Sequence, residues 1–197
     1  TDELIPSGET SSYRSNPLRL AEFALSRKDP QYVPRAKAVQ AVEQLRRTNP
    51  KAPEVEGALD GYDPARTGLG SLVMALKPGD GSAREQAASC QRVLGGCANV
   101  AEEYATKRYR SNVVNWGMLP FVAGDLRALN LQPGDQVHLP GIRALLEGDG
   151  EEIAATVIQH GANGPAAQAV TLTLPGLTRE ERDIILAGCL INYYAEG

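Results

Sequence analysis

The stretch that decides the fold is Gly79-Asp80-Gly81-Ser82-Ala83-Arg84-Glu85. It lies between an apolar run that is typical of a β-strand, residues 71–76, and an amphipathic run that predicts a helix over residues 82–94. The two glycines allow a tight turn, and the first N–H groups of the helix then point away from it at the positive end of its dipole. The sequence therefore predicts an anion-binding junction between a strand and a helix.

Two interpretations of this junction stay open when the residues are taken alone. A serine at a helix start is placed to lose its proton, and the guanidinium of Arg84 has the fork that fits a carboxylate. However, Ser82-x-x-Glu85 also fits a capping box, in which the two side chains only satisfy backbone donors.

Strands and helices alternate on the C-terminal side of the junction. We predict a strand over residues 97–101, a helix over 103–116 that stops at Gly117, and a strand over 118–122. This order implies right-handed crossovers and a parallel core, with ligands at the carboxyl ends of the strands. The sequence predicts an α/β fold.

The last third is rich in β-forming runs that Gly-rich turns separate. These runs are residues 136–139, 153–159 and 168–174, and they predict an antiparallel or mixed sheet beside the parallel part. A final helix over residues 178–194 opens with a second capping-box pattern, Thr178-x-x-Glu181. Its expected buried stripe is Ile184, Ile185, Leu186, Leu190 and Ile191.

The N-terminal third predicts less regular structure. We expect a polar loop over residues 1–16, helices over 17–27 and 31–47, and a loop-rich connection over 51–70. The second helix is mostly charged and predicts a solvated outer helix. Nothing in the pattern suggests an internal repeat, so we expect one domain over residues 1–197.

Composition excludes several functional classes. The chain has 197 residues, of which 42% are hydrophobic and 22% charged, as in ordinary globular proteins. Its net charge of −4 argues against a nucleic-acid surface, which needs a basic stripe. No apolar run reaches the length of a membrane span and no signal-peptide pattern opens the chain, so a cytoplasmic location is expected.

A metal site is not expected within this chain. The three cysteines, Cys90, Cys97 and Cys189, lack C-x-x-C spacing, and cysteine is often a small buried hydrophobe. The two histidines, His138 and His160, fall in strand-like segments without a partner motif.

Several motifs, in order, resemble the C-terminal swivel domain of the aconitase family. The segment from Gly81 to Ala88 is similar to that family's serine–arginine loop. Further similar landmarks, ordered along the chain, are Thr1-Asp2-x-Leu4, Arg14, Leu94-Gly95-Gly96, Ser111-Asn112-Val113-Val114, Gly117-Met118-Leu119-Pro120 and Arg182 to Asn192. The resemblance implies a swivelling β/β/α domain, with a mixed sheet or partial barrel flanked by helices. Since the chain begins inside a motif, we expect it to be an excised C-terminal part of a longer polypeptide.

The resemblance also implies an activity and roles for named residues. Family members are hydro-lyases that dehydrate and rehydrate hydroxy di- or tricarboxylic acids. By position, Ser82 would be the catalytic base, Arg14 and Arg84 would bind substrate carboxylates, and Asp2 would belong to the network that handles the proton of the departing hydroxyl. Ala83 takes the substrate-binding position where the family often has a second serine, and Glu3 stands where histidine is common. Both departures argue against citrate as the substrate.

The cofactor and partners are implied in the same way. The resemblance implies a 4Fe–4S cluster that acts as a Lewis acid and is bound by other domains of the polypeptide or by a large subunit, not by this chain. The isolated domain would therefore be inactive. Two alternatives stay open: the small subunit of a two-subunit isopropylmalate-type dehydratase, and a non-catalytic anion-binding module.

Overall fold

A computed structural model describes residues 1–195, which form two compact units. The first unit contains Thr1–Leu72 and Gly81–Cys97, and the second contains Val73–Asp80 and residues 98–195. The stretch 79–85 therefore passes from the second unit into the first. The prediction of one domain over residues 1–197 stays a prediction.

The first unit is helical. A 3₁₀ turn at Ser11–Tyr13 precedes helices α1 (Pro17–Ala21), α2 (Tyr32–Thr48), α3 (Pro53–Leu59) and α4 (Arg84–Val93). Helix α1 packs against α4, and α2 packs against α3. The α2–α3 contact buries Val55 completely, with Val42 and Leu45 of α2 packed against it. The charged helix α2 thus has an apolar side that binds it to the rest of the unit.

The predictions for this unit are confirmed in part. Residues 1–16 form turns and the 3₁₀ turn, as expected of a loop, but Leu4, Ile5 and Thr10 within them are buried. Helix α1 ends at Ala21 and does not reach residue 27 as predicted. The chain continues in successive turns, and Leu25 has a φ of 56°, which a right-handed helix does not allow. The connection 51–70 contains α3, which begins with a proline at its first position as helices often do.

The second unit contains most of a six-stranded sheet. Its strands are β1 (Ser71–Ala75), β2 (Gly96–Ala101), β3 (Leu119–Val122), β4 (Gln136–His138), β5 (Glu152–Gly161) and β6 (Gly164–Thr173). Strands β1 and β2 begin in the first unit and continue in the second. The strand order is β1-β2-β3-β6-β5-β4. Strands β2 and β3 are parallel, whereas β3–β6, β6–β5 and β5–β4 are antiparallel. The predicted α/β fold with a mixed sheet is confirmed, and the sheet is open.

Helices flank this sheet within the second unit. They are α5 (Lys107–Asn115), α6 (Ile142–Glu147), α7 (Arg179–Ala187) and α8 (Leu190–Ala195). Helix α5 packs against β3 and α7, and α6 packs against β5 and α7. The predicted final helix is interrupted, because Gly188 adopts a φ of 92° and ends α7. Ile191 beyond the break is exposed, so the predicted buried stripe holds for Ile184 and Ile185 but fails there.

Candidate functional site

The start of α4 places Ser82 outside the helix. Arg84 is the first helical residue, and Ala83 is the N-cap, with no side-chain cap bond among the described residues. Ser82 precedes the cap and is exposed. The capping box proposed for Ser82 and Glu85 is therefore not formed, and the serine hydroxyl is not used to close the helix.

Arg84 carries an unsatisfied donor beside this serine. Its side chain is half-buried, and its Nε atom is buried without a hydrogen-bond partner in residues 1–195. A buried donor that lacks a partner costs free energy, so such an atom is usually satisfied by a ligand or a water molecule. Arg84 thus offers a partly desolvated cation at the positive end of α4.

Gly81 links the N-terminal segment to the same loop. Its φ is +111°, in the left-handed region that favours glycine, and a Cβ atom built on it would collide with Oγ1 of Thr1. Residue 1 therefore lies directly against the loop that carries Ser82. The structure brings the Thr1–Asp2 motif and the serine–arginine loop together, although they are about eighty residues apart in the sequence.

Asp2 is exposed, and both of its carboxylate oxygens are engaged. Nη1 of Arg27 lies 2.7 Å from Oδ2, and the backbone N–H of Ser7 donates to Oδ1 over 3.3 Å. The other guanidinium nitrogen of Arg27 pairs with Glu9 at 2.6 Å. Arg27 and Glu9 could not be predicted as part of this site, because no motif marks their pairing in the sequence.

Arg14 is an exposed residue in the turn between the 3₁₀ turn and α1. Its backbone is held on both sides: the Tyr13 ring stacks on Phe23 at 5.4 Å, and the Asn16 side chain caps α1 by accepting the N–H of Arg19 at 3.0 Å. Arg14 directly follows the 3₁₀ turn, which contacts α1, and α1 in turn packs against α4, the helix of Arg84. Arg14 is thus connected to the helix of Arg84 through α1.

The described residues do not fit an iron–sulfur cluster. Within residues 1–195 there is no group of three or more His, Cys, Asp or Glu side chains placed to hold a metal. Burial raises the pKa of Cys90 to about 12 and that of Cys97 to about 11, which disfavours the thiolates that bind metals. His160 instead lies 3.4 Å from the side-chain oxygen of Gln136.

Comparison with known proteins finds similarity to the aconitase family. The aconitase C-terminal domain profile matches residues 32–125. Mitochondrial aconitate hydratase of Schizosaccharomyces pombe is 29% identical over 118 residues, a match that covers 59% of this chain but 14% of that protein. The resemblance to the aconitase family is confirmed. The aconitase profile includes Ser82, Ala83 and Arg84, whereas Asp2 and Arg14 lie outside it.

A solved structure supports the fold. The crystal structure of 3-isopropylmalate dehydratase from Methanocaldococcus jannaschii superposes with a TM-score of 0.54 at 21% identity, covering 99% of this chain and 85% of that one. At this identity the match establishes a shared fold. No helix within residues 1–195 combines the length and the apolar character needed to cross a membrane.

Proposed function

We propose that this chain is the swivel domain of a hydro-lyase that acts on a hydroxy di- or tricarboxylic acid. The observation that carries the proposal is the exposed Ser82, which does not cap α4 and stands two residues before an arginine with an unpartnered Nε. The similarity to aconitate hydratase suggests the class of reaction.

In this proposal Ser82 removes a proton from a substrate carbon. Its Oγ acts as an alkoxide, which the N–H groups at the start of α4 and the Arg84 cation stabilise in a closed site. The C–H electron pair becomes the second bond of the alkene as the C–O bond of the neighbouring hydroxyl breaks. That hydroxyl gains a proton through the network containing Asp2 and leaves as water, so atoms and charge balance.

Arg84 and Arg14 hold the substrate carboxylates, for which their planar guanidinium groups are suited. Ala83 offers no hydroxyl at the position between Ser82 and Arg84. Glu3 adds a carboxylate next to Asp2, although Lys28 pairs with it at 2.9 Å. Fewer donors and an added negative charge favour a hydroxy acid other than citrate.

The cluster and the partners belong to other parts of the assembly. Because the described residues do not fit a 4Fe–4S cluster, we assign it to further domains of the polypeptide or to a large subunit. The isolated chain is then inactive, and its partner is the cluster-bearing part.

A two-subunit arrangement is the second candidate. It is favoured by the fold match to 3-isopropylmalate dehydratase, which extends over 99% of this chain and 85% of the other. Isolation of the native assembly distinguishes the candidates: one polypeptide supports the fused form, and a separate large subunit supports the dehydratase form.

Replacement of Ser82 by alanine in the full-length protein tests the function. General bases contribute roughly 10²- to 10⁴-fold to a rate, so we expect turnover of a panel of hydroxy di- and tricarboxylates to fall by that factor. Ultraviolet absorbance of the alkene measures turnover, and iron analysis checks that cluster content stays normal. Ser89→Ala is the matched control, since Ser89 lies on the same helix and its hydroxyl donates to the Gln86 carbonyl over 3.4 Å.

Two outcomes would contradict the proposal. Normal turnover in Ser82→Ala would remove this residue from the mechanism. A cluster-loaded wild-type protein that converts none of the panel, yet binds these carboxylates, would instead support the non-catalytic anion-binding module.

A further inference from the structure

Arg27 and the turn that carries it are a feature that the proposed mechanism does not use. Its guanidinium bridges two carboxylates, with Nη1 at 2.7 Å from Asp2 and Nη2 at 2.6 Å from Glu9. The hydrogen bond that Arg27 donates to Glu9 and the charge of Glu9 raise the pKa of Arg27, as does Asp2. A guanidinium is in any case charged throughout the physiological pH range. We propose that Arg27 is a positioning residue that orients the Asp2 carboxylate for the proton network; this inference rests on the proposed function.

The bridge contributes little to folding. The Arg27, Asp2 and Glu9 side chains are 47%, 61% and 58% exposed, and ion pairs in contact with water are weak. Exposure has a second consequence, since Asp2 remains accessible to a substrate. A weak but geometrically defined contact on an accessible carboxylate is better suited to orienting that group than to stabilising the unit.

The backbone around Arg27 is built to hold this position. Leu25 has a φ of 56°, which is unusual for a large side chain and persists only where other contacts maintain it. The contact here is a hydrogen bond of 2.9 Å from the Leu25 N–H to the carbonyl of Leu4. Leu4 and Ile5 are in turn buried, so the left-handed turn is fixed to the segment that carries Asp2.

The contacts leave Asp2 with one defined orientation. Arg27 occupies Oδ2 and the Ser7 N–H occupies Oδ1, which restrains rotation of the carboxylate. Thr1, the preceding residue, lies against Gly81 of the serine loop. Arg27 therefore orients the carboxylate of Asp2, the residue that follows Thr1 at this loop. Small displacements of catalytic groups reduce rates strongly.

Arg27→Gln in the full-length protein tests this role. We expect kcat for the hydroxy-carboxylate panel to fall about 10- to 100-fold with KM nearly unchanged, and Arg27→Lys to recover part of the loss. The matched control is Lys28→Gln, which removes the neighbouring exposed ion pair, at 2.9 Å from Glu3, and should leave kcat unchanged. On an Asp2→Asn background, Arg27→Gln should cause no further loss, because it acts through Asp2.

A second readout does not depend on turnover. The Ser7 amide resonance should shift in both Arg27→Gln and Asp2→Asn and stay in place in Lys28→Gln. Normal kcat in Arg27→Gln, or an equal added loss on the Asp2→Asn background, would overturn the positioning role. If Ser82→Ala and Asp2→Asn remove turnover while Arg27→Gln does not, the positioning role alone fails; if Ser82→Ala is fully active, the proposed function fails.

Discussion

Two helices of this protein begin with the same sequence pattern and use it differently. Thr178-x-x-Glu181 forms a complete capping box at α7: the Glu181 N–H donates to Thr178 Oγ1 over 3.1 Å, and the Thr178 N–H donates to Glu181 Oε2 over 3.0 Å. Ser82-x-x-Glu85 forms none at α4, where Ala83 is the N-cap. One hydroxyl stabilises its helix, and the other is left exposed.

The difference lies in where each helix start obtains its support. At α7 the support is mostly local, with a further ion pair of 3.2 Å from Arg110 of α5 to Glu181. At α4 it comes from residues distant in sequence, through the contact of Gly81 with Thr1 and the packing of α1. A helix held from outside can keep its first N–H groups and a nearby hydroxyl for a ligand.

The largest expected effect on stability comes from Gly81→Ala. The new alanine side chain would be strained at a φ of +111° and would collide with Thr1. We therefore expect a loss of about 2 kcal/mol in the free energy of unfolding, measured with urea. Gly8→Ala is the matched control, because nothing lies within 4 Å of its Cβ position. Equal stability of the two variants would break the contrast between distant and local support.

Acid should destabilise the first unit by protonating Glu43 of α2. Burial alone would raise the pKa of Glu43, but hydrogen bonds from Arg46, the Leu69 backbone and Arg47 lower it from 4.5 to about 2. A lowered pKa stabilises the fold above pH 4.5, and this contribution is lost as the pH falls toward 2.

We therefore expect Glu43→Gln to cost between about 1 and 2 kcal/mol near neutral pH, after allowance for screening by solvent. The difference in the free energy of unfolding between Glu43→Gln and the wild type should become smaller as the pH is lowered from about 5 toward the lowered pKa of about 2. Glu56→Gln, an exposed carboxylate on α3, serves as the control. A gap that stays constant across this range would contradict the assigned hydrogen bonds.

The smallest expected effect is at the capped helix. Thr178→Ala should reduce the free energy of unfolding by about 1 kcal/mol, since it removes the cap, and should leave turnover of the full-length protein unchanged. Thr171→Ala, in an exposed position of β6, is the control in the same urea titration. A loss of turnover in Thr178→Ala with normal stability would mean that the two helix starts do not have separate roles.

The elements that have strong local signals could be predicted from the sequence. Helix α2 follows its apolar spacing, β1 follows its apolar run, and the Thr178 cap forms as its pattern predicts. Helix α6 was not predicted, because it starts after Gly141 at a φ of 74° without a side-chain cap among the described residues, so no usual start signal precedes it. The break at Gly188 was also missed, because the neighbouring residues continue the apolar pattern.

The sequence by itself determined the alternation of strands and helices, the mixed sheet and the position of Ser82 and Arg84 at a helix start, since these depend on periodicity and on the turn formed by closely spaced glycines. The tertiary structure decided that Ser82 does not cap its helix, that Thr1 adjoins Gly81, and that Arg27 pairs with Asp2. These are contacts between residues far apart in the chain, and side-chain patterns of a few residues carry no information about which distant groups the fold will bring together.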